Sequence, residues 1–323
     1  MKKKILISAG AVLVLLVASA IWFVQVYGPN FNIYLVPPST KKYGKIALQF
    51  IDQNGLYTNS AEWKEAKTAA ESNLASAKSY DEVLGILNGY IKHAGGKHSY
   101  ITTSSQQASN AAAPVIMPTY RVQDDVLILT VPEFVGTQDE AKQYMGILSR
   151  AISDEKYSGI IVDLSGNQGG DMSPMIVGLS QTLPDGILFT YVDKHANATD
   201  VTLKDGSIDA GGFDLKSPAS GKKTDVPIAL ITNEKTGSSG EMTLLCFRGL
   251  PNTRTFGQDT AGYATVNKTF YLYDGASIQI TCANVKARTG EPFGEDPIAP
   301  DVQTKDAYKD ALAWIKQQLD ARG

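Results

Sequence analysis

The chain has 323 residues, of which 43% are hydrophobic and 20% are charged, and its formal net charge is -3. This length and composition are typical of a globular protein with one large domain or two modest ones. A net charge of -3 gives no electrostatic reason for nucleic acid or an anionic membrane as the main partner, and no nucleic-acid partner is expected.

An apolar segment follows three lysines at the N-terminus. The run from Ile5 to about Val26 contains no charged residue, and roughly 20 apolar residues suffice to span a bilayer. Because Lys2, Lys3 and Lys4 precede the run, the N-terminus is expected to stay in the cytoplasm and the remainder to be exported. Residues 1–27 are therefore predicted to be a signal anchor of a single-pass membrane protein. The alternative is secretion after cleavage near Ala20, since Ala18-Ser19-Ala20 fits a cleavage site.

Residues 28–97 are predicted to form a connector and a small helical subdomain. From about Lys45 to Ala94 the apolar residues recur at helical spacing. Asn59-Ser60-Ala-Glu62 fits a helix start. The Asn- and Ala-rich stretch Ser104–Ala113 is expected to be a loop.

Strand and helix patterns alternate through residues 98–323, which predicts an α/β fold. The predicted strands are Val126–Val131, Gly159–Leu164 and Val226–Ile231, and the predicted helices are Gln138–Ser153, Met172–Leu183 and Glu241–Phe247. Asp274-Gly275 indicates a hairpin turn between strands Lys268–Tyr273 and Ala276–Cys282.

Ser238 lies between a predicted buried strand and a predicted helix. A serine on such a sharp turn has its hydroxyl lifted off the sheet, and the N–H groups at the helix start suit an oxyanion. The alternative is a simple helix N-cap, with Glu241 as the acid of a capping box. Both readings fit the local sequence.

A serine nucleophile needs a base, and histidine is the usual one at neutral pH. The chain has three histidines, His93, His98 and His195. His98 follows the glycine-bearing break Gly95-Gly96-Lys97, where a side chain is free to face a cleft. A solvated surface histidine is the alternative.

Four motifs in order resemble those of peptidase family S41, the tail-specific or C-terminal-processing serine peptidases. They are Asp163-Leu-Ser-Gly-Asn-Gln-Gly-Gly170, Thr236-Gly-Ser-Ser-Gly-Glu241, Gly257-Gln-Asp-Thr-Ala-Gly262 and Glu295-Asp-Pro-Ile-Ala-Pro-Asp301. The resemblance covers about His98 to Val302 and implies a crotonase/ClpP-like β-α core. It also implies that Ser238 is the nucleophile and that the oxyanion hole combines the N–H of Ser239 with that of Gly169 or Gly170.

The sequence departs from the C-terminal-processing branch at the base. That branch has lysine in a T-x-G-K motif, where this chain has Tyr263. The branch similar to the tricorn core protease uses histidine instead, and the resemblance to it implies His98 as base. A glutamate near the C-terminal Pro-Asp motif supports that histidine, which implies Glu295 as the acid, with Asp296 as the reserve.

Only Ser99–Pro118 separates the histidine segment from the core strands, too short for a PDZ domain. The preference of the family for substrate C-termini is therefore not expected of this chain. The expected activity is that of a membrane-anchored, extracytoplasmic serine endopeptidase that cleaves proteins or peptides without cofactor or metal. The alternative is a non-catalytic protein of the same fold that binds an apolar ligand or a protein or cell-envelope partner. The sequence does not predict an oligomeric state.

Overall fold

The computed structural model describes residues 2–111, 113–219 and 221–322. They belong to two units whose sequences interleave, the first being Met1–Asn110 with Asn267–Cys282 and the second Ala111–Val266 with Ala283–Gly323. The helices are α1 Lys2–Tyr27, α2 Thr40–Asn54, α3 Ala61–Leu74, α4 Tyr80–Gly95, α5 Ser104–Ala111, α6 Gln138–Asp154, α7 Ser173–Gly178, α8 Ser239–Leu245 and α9 Ala307–Asp320. The strands are β1 Tyr100–Thr102, β2 Thr119–Gln123, β3 Val126–Thr130, β4 Gly159–Asp163, β5 Gly186–Asp193, β6 Ala198–Lys204, β7 Ser207–Ile208, β8 Ile228–Thr232, β9 Thr253–Gly257, β10 Thr265–Tyr271, β11 Ser277–Ala287, β12 Pro292–Phe293 and β13 Val302–Gln303.

Helix α1 confirms the predicted apolar N-terminal segment. By length and composition it could cross a membrane, over a candidate span of Val12–Phe31 with a mean hydropathy of 1.9. Such a helix fits either a membrane anchor or a signal segment. A short 3-10 turn, Gly28–Phe31, follows it.

Helices α2, α3 and α4 form the helical part of the first unit, as predicted. Each begins at a serine N-cap, Ser39, Ser60 or Ser79, whose side chain accepts the N–H of the third residue along the chain. Such a cap satisfies an N–H group that the helix itself leaves unpaired. Their buried faces share one apolar core with residues of the hairpin between β10 and β11, namely Leu272, Ala276, Ile278 and Ile280.

The predicted hairpin is confirmed. Strand β10 pairs with β11, and Gly275 in the turn has φ 86°, a backbone conformation that favours glycine. Strand β1 pairs antiparallel with residues 277–279 of β11. The loop expected at Ser104–Ala113 is wrong over Ser104–Ala111, which is helix α5. Thr103 and Gln106 begin this helix by accepting each other's N–H groups, at 2.9 and 3.3 Å.

A six-stranded sheet forms the centre of the second unit, with the strand order β13-β9-β8-β4-β3-β2. All neighbouring strands are parallel except β2, which is antiparallel to β3. Apolar clusters cover both faces: one includes α6, α7 and α8, and the other includes Ala311 and Ile315 of α9. Burial on both faces explains why β3, β4 and β8 are continuous apolar runs.

The carboxyl ends of β3, β4 and β8 meet at one edge of this sheet. In such sheets the loops at the carboxyl edge are the usual place for a ligand site. The predicted helix Met172–Leu183 is divided here into α7 and a 3-10 turn, Ser180–Thr182. An antiparallel pair, β5 and β6, was not predicted, and β5 also pairs with residues 283–287 of β11.

Candidate active site

Ser238 stands on the predicted sharp turn between β8 and α8. Its backbone has φ 51° and ψ -118°, which is unusual for a residue other than glycine. Two hydrogen bonds hold the turn to the segment that follows β4. Thr236 Oγ1 donates to the Leu164 carbonyl at 2.8 Å, and the Gly237 N–H donates to the backbone carbonyl of Asn167 at 2.9 Å. Strain of this kind is maintained only where the surroundings enforce it, and it often accompanies function.

Gly169 lies directly against the Ser238 side chain. A Cβ added to this glycine would come within 2.7 Å of Ser238 Cβ and 3.1 Å of its Oγ. The φ of Gly169 is 116°, a value that side chains disfavour. The glycine is therefore required both by its own backbone and by the serine beside it.

The backbone N–H groups predicted as oxyanion donors differ in whether they already have an acceptor. The Gly169 N–H donates to Asn167 Oδ1 at 2.9 Å, so it is already engaged. The Gly170 and Ser239 N–H groups have no acceptor in the part of the chain that the structure describes. The Ser239 hydroxyl donates to the Gly170 carbonyl at 2.5 Å, which fastens the glycine loop to the first residue of α8.

Asn167 connects the elements around this turn, a role that the sequence analysis did not assign. Its side chain is fully buried, and Nδ2 donates to the carbonyls of Val131 and Pro132 at 2.9 and 3.1 Å. Its side-chain Oδ1 accepts the Gly169 N–H, and its backbone carbonyl accepts the Gly237 N–H. The side chain and backbone of this one residue thus join the end of β3, the glycine loop and the turn that carries Ser238.

Glu241 joins a second loop to the turn that carries Ser238. Its carboxylate is fully buried and accepts the N–H groups of Ser238, Gly262 and Tyr263 at 3.0, 2.9 and 2.7 Å. It also accepts a short hydrogen bond from Thr260 Oγ1. Burial raises the pKa of Glu241, although these donors oppose the rise. Ser238 therefore occupies an N-cap position, but the acid of the capping box also organises the loop Thr260–Tyr263.

Tyr263 stands where one branch of the family carries its lysine. A Cβ on Gly237, the residue before Ser238, would come within 3.6 Å of Tyr263 Cδ2. The tyrosine ring therefore lies beside the turn that carries Ser238. Lys268, the nearest lysine after it in sequence, is an exposed residue of β10 in the first unit.

The segment with the candidate acids packs on the same loop. A Cβ on Gly262 would lie 2.7 Å from the Glu295 carbonyl oxygen and 2.9 Å from the carbonyl carbon of Asp296. Two further hydrogen bonds, at 2.8 and 3.1 Å, join Thr260 to Ile298. Glu295 is half-buried and Asp296 is exposed. The second unit thus brings Ser238, the glycine loop and the Glu295 backbone together around Glu241.

His98 belongs to the first unit, in the segment between α4 and β1. It is half-buried, and its carbonyl accepts Asn267 Nδ2 at 3.0 Å. The next residue, Ser99, is fully buried and accepts the Thr281 N–H at 3.0 Å. Burial, with a smaller contribution from Lys97, lowers the pKa of His98 to about 4.

The other two histidines occupy exposed positions. His93 Nδ1 lies 2.7 Å from Glu62 Oε1 in a surface ion pair. His195 lies in the turn between β5 and β6, where its N–H donates to Asp193 Oδ1 at 2.8 Å. Neither position differs from that of an ordinary surface histidine.

The order and geometry of these motifs agree with a comparison against protein families. The sequence model of peptidase family S41 matches residues 125–304. The chain belongs to peptidase family S41. Membership of this family implies a serine peptidase that acts on proteins or peptides, on an α/β fold.

A relative of similar length carries a functional name. The Nisin-resistance protein of Lactococcus lactis subsp. lactis is 44% identical over 317 residues, which cover 98% of each chain. Among solved structures, a lipoprotein from Streptococcus agalactiae is 37% identical with a TM-score of 0.80, over 88% of this chain and 99% of that one.

More distant structures share the fold. The photosystem II D1 C-terminal processing protease matches with a TM-score of 0.57 over 83% of this chain and 94% of its own, at 11% identity. At that identity the similarity supports the fold and no finer conclusion. The predicted α/β peptidase fold is thereby confirmed.

Proposed function

We propose that the chain is a membrane-anchored, extracytoplasmic serine endopeptidase with Ser238 as its nucleophile. The observation that carries the proposal is the strained turn at Ser238, which packs on Gly169 of the glycine loop. A serine that only caps a helix needs neither the strain nor a glycine loop against its side chain.

In the proposed reaction the Ser238 hydroxyl attacks the carbonyl carbon of the scissile bond. His98 accepts the hydroxyl proton, and the resulting oxyanion is stabilised by the N–H groups of Ser239 and Gly170. The tetrahedral intermediate collapses as His98 returns the proton to the leaving amine, which leaves an acyl-enzyme. Water, deprotonated by His98, then hydrolyses the ester and restores Ser238.

His98 is proposed as base because its ring is neutral at neutral pH, as a proton acceptor must be. A pKa of about 4 leaves almost all of the free enzyme in that form. Glu295 is proposed as the acid that orients the imidazole and stabilises its cation, with Asp296 in reserve. The backbone of Glu295 packs on the loop that Glu241 holds to the nucleophile turn, which supports this choice.

The proposed substrate is a peptide antibiotic of the nisin type. The support is the Lactococcus lactis relative, which is named for nisin resistance and is 44% identical over nearly all of both chains. Cleavage of such a peptide outside the cytoplasm would account for resistance to it. The proposed anchor, α1, would hold the peptidase at that place.

The first test uses the full chain in detergent, with a fluorophosphonate probe and with nisin as separate reagents. We expect a covalent adduct on Ser238, located by peptide mass mapping, and new nisin fragments in the mass spectrum. His98→Ala should lower both by several orders of magnitude. His93→Ala is the matched control, because His93 pairs with Glu62 on the surface, and it should retain activity.

Each outcome separates one part of the proposal. An adduct on Ser238 without nisin cleavage would support the serine peptidase and contradict nisin as its substrate. If His98→Ala lowers probe labelling and nisin cleavage only a few-fold, His98 is not the base. The absence of an adduct would contradict the peptidase and favour the non-catalytic binding protein on the same fold.

A further inference from the structure

Large apolar side chains remain exposed just after α1. Phe31, Ile33, Leu35 and Val36 are 73%, 54%, 52% and 64% exposed. Lys41 and Lys42, which begin α2, are exposed as well. We call these six residues the juxtamembrane collar. Several strongly exposed large apolar residues within six positions often mark a contact with a partner or a membrane.

The backbone holds this part of the chain against the end of α1. Asn32 has φ 54°, which reverses the chain, and the Ile33 N–H donates to the Gly28 carbonyl at 2.8 Å. A Cβ on Gly28 would lie 2.4 Å from the Ile33 carbonyl oxygen and 3.3 Å from Val24 Cγ1. The collar therefore begins beside the last turn of α1 and does not extend freely away from it.

One lysine of the collar, Lys42, contacts the end of α1. Lys42 Nζ donates to the Gln25 carbonyl at 3.4 Å, which brings the first turn of α2 to the end of α1. Trp22 and Phe23 both contact Tyr27 through their rings, with centroids 6.3 and 4.9 Å apart. Aromatic residues at the end of an apolar helix are typical of the boundary between lipid and water.

We propose that the juxtamembrane collar is a membrane-binding surface that lies in the bilayer interface. Its apolar side chains enter the boundary between headgroups and acyl chains, and Lys41 and Lys42 contact anionic headgroups. The proposal rests on the proposed anchoring by α1, because it is the span that brings the collar to that depth. An anchor alone would leave the domain free to tilt, whereas a second contact fixes the first unit against the lipid.

The collar is joined rigidly enough to the first unit to transmit such a contact. Tyr34, which lies between the collar residues Ile33 and Leu35, packs edge-on against Tyr273 of the hairpin with ring centroids 5.3 Å apart, and the rings of Tyr80 and Tyr273 are 6.3 Å apart. The Tyr80 hydroxyl makes a short hydrogen bond to the Pro38 carbonyl. Membrane contact at the collar would therefore restrict the motion of α4 and of the hairpin.

The test measures the depth of single fluorescent labels in the full chain, reconstituted in lipid nanodiscs. In a Cys282→Ala background, with Cys246 fully buried, a label is placed by Leu35→Cys or Val36→Cys. Val14→Cys reports the span itself. Ala61→Cys is the matched exposed control. Ala61 begins α3, and Trp63 Nε1 in the same turn donates to Asp52 near the end of α2. Asp52 lies about 18 Å along α2 from Thr40, at a rise of about 1.5 Å per residue.

We expect lipids that carry a spin label near the headgroup to quench positions 35 and 36 and to spare position 61. Lipids labelled deep in the acyl chain should quench position 14. Anionic phosphatidylglycerol should strengthen the quenching at position 36, and Lys41→Gln with Lys42→Gln should remove that increase. Each lysine near an anionic membrane surface changes the equilibrium constant for membrane binding by about fivefold.

The outcomes distinguish the collar from the anchor. Quenching at 14 without quenching at 35 and 36 overturns the collar and leaves the anchor. Quenching at 35 and 36 without quenching at 14 supports the collar and overturns the anchor. Equal quenching at 61 overturns the proposed surface, as does shielding of 35 and 36 that is independent of lipid, which would indicate a protein partner.

Discussion

Replacing Gly169 by alanine tests the link between the glycine loop and Ser238. The new Cβ would lie 2.7 Å from Ser238 Cβ, whereas ordinary contacts begin at 3.4 Å, so the two groups must separate by about 0.7 Å. A displacement near 1 Å at a reacting group costs about a hundredfold in rate. We therefore expect Gly169→Ala to slow the reaction by about a hundredfold, or roughly 2.7 kcal/mol of activation free energy.

The assay is the second-order rate of fluorophosphonate labelling of the full chain, read by mass spectrometry and paired with a thermal unfolding curve. The positive φ of Gly169 adds backbone strain of about 1–3 kcal/mol, which lowers Tm without acting on Ser238. A second glycine separates these two effects. Gly166, in the same loop, has φ 80° and nothing within 4 Å of an added Cβ.

Gly166→Ala should therefore lower Tm by a similar amount while its labelling rate stays close to that of the unaltered chain. The difference between the two variants isolates contact with Ser238 from loss of stability. Equal labelling rates in Gly169→Ala and Gly166→Ala would refute the reasoning. So would a Gly169→Ala protein that labels at the original rate.

Three further predictions concern the residues around the nucleophile. Ser238→Ala should abolish nisin cleavage with little change in Tm; residual cleavage at the original rate would exclude Ser238 as nucleophile. Because burial lowers the pKa of His98 to about 4, below its usual value near 6.5, the base remains neutral as pH falls through 6.5. Accordingly, kcat/KM should be lost only near pH 4, and a limb near 6.5 would contradict this assignment. Both carboxylate oxygens of Glu241 accept backbone N–H groups. In either orientation, the side-chain NH2 of a glutamine would therefore face a backbone N–H that it cannot accept. Glu241→Gln should therefore lose about 1–3 kcal/mol of folding free energy and label slowly, and unchanged thermal unfolding would refute it.

The sequence predicted the buried strands of the α/β core and the serine turn because both depend on local pattern. The apolar runs of β3, β4 and β8 are long enough to indicate buried strands, and the polar and glycine residues after Ile231 place Ser238 at a turn. Helix α5 was missed, although Thr103 and Gln106 form a capping box. Helix α9 was also missed, despite the helical spacing of its buried residues Ala311 and Ile315.

The roles of Asn167 and Glu241 could not be predicted from sequence. Asn167 bonds to the Val131 carbonyl, 36 positions away, and Glu241 to the Tyr263 N–H, 22 positions away. Only the folded chain brings these atoms together, and neither residue's own neighbours in sequence indicate the pairing. The proposal of Gly170 instead of Gly169 as oxyanion donor likewise depends on the hydrogen bond from the Gly169 N–H to Asn167 Oδ1.

The interleaved order of the two units limits where the chain can be divided. The segment 125–304 that matches the family contains the hairpin residues Leu272, Ile278 and Ile280, whose apolar partners lie on α2, α3 and α4. Expression of that segment alone would expose these side chains to water and favour aggregation. The peptidase segment and the preceding helices must therefore be inherited, exchanged or engineered together.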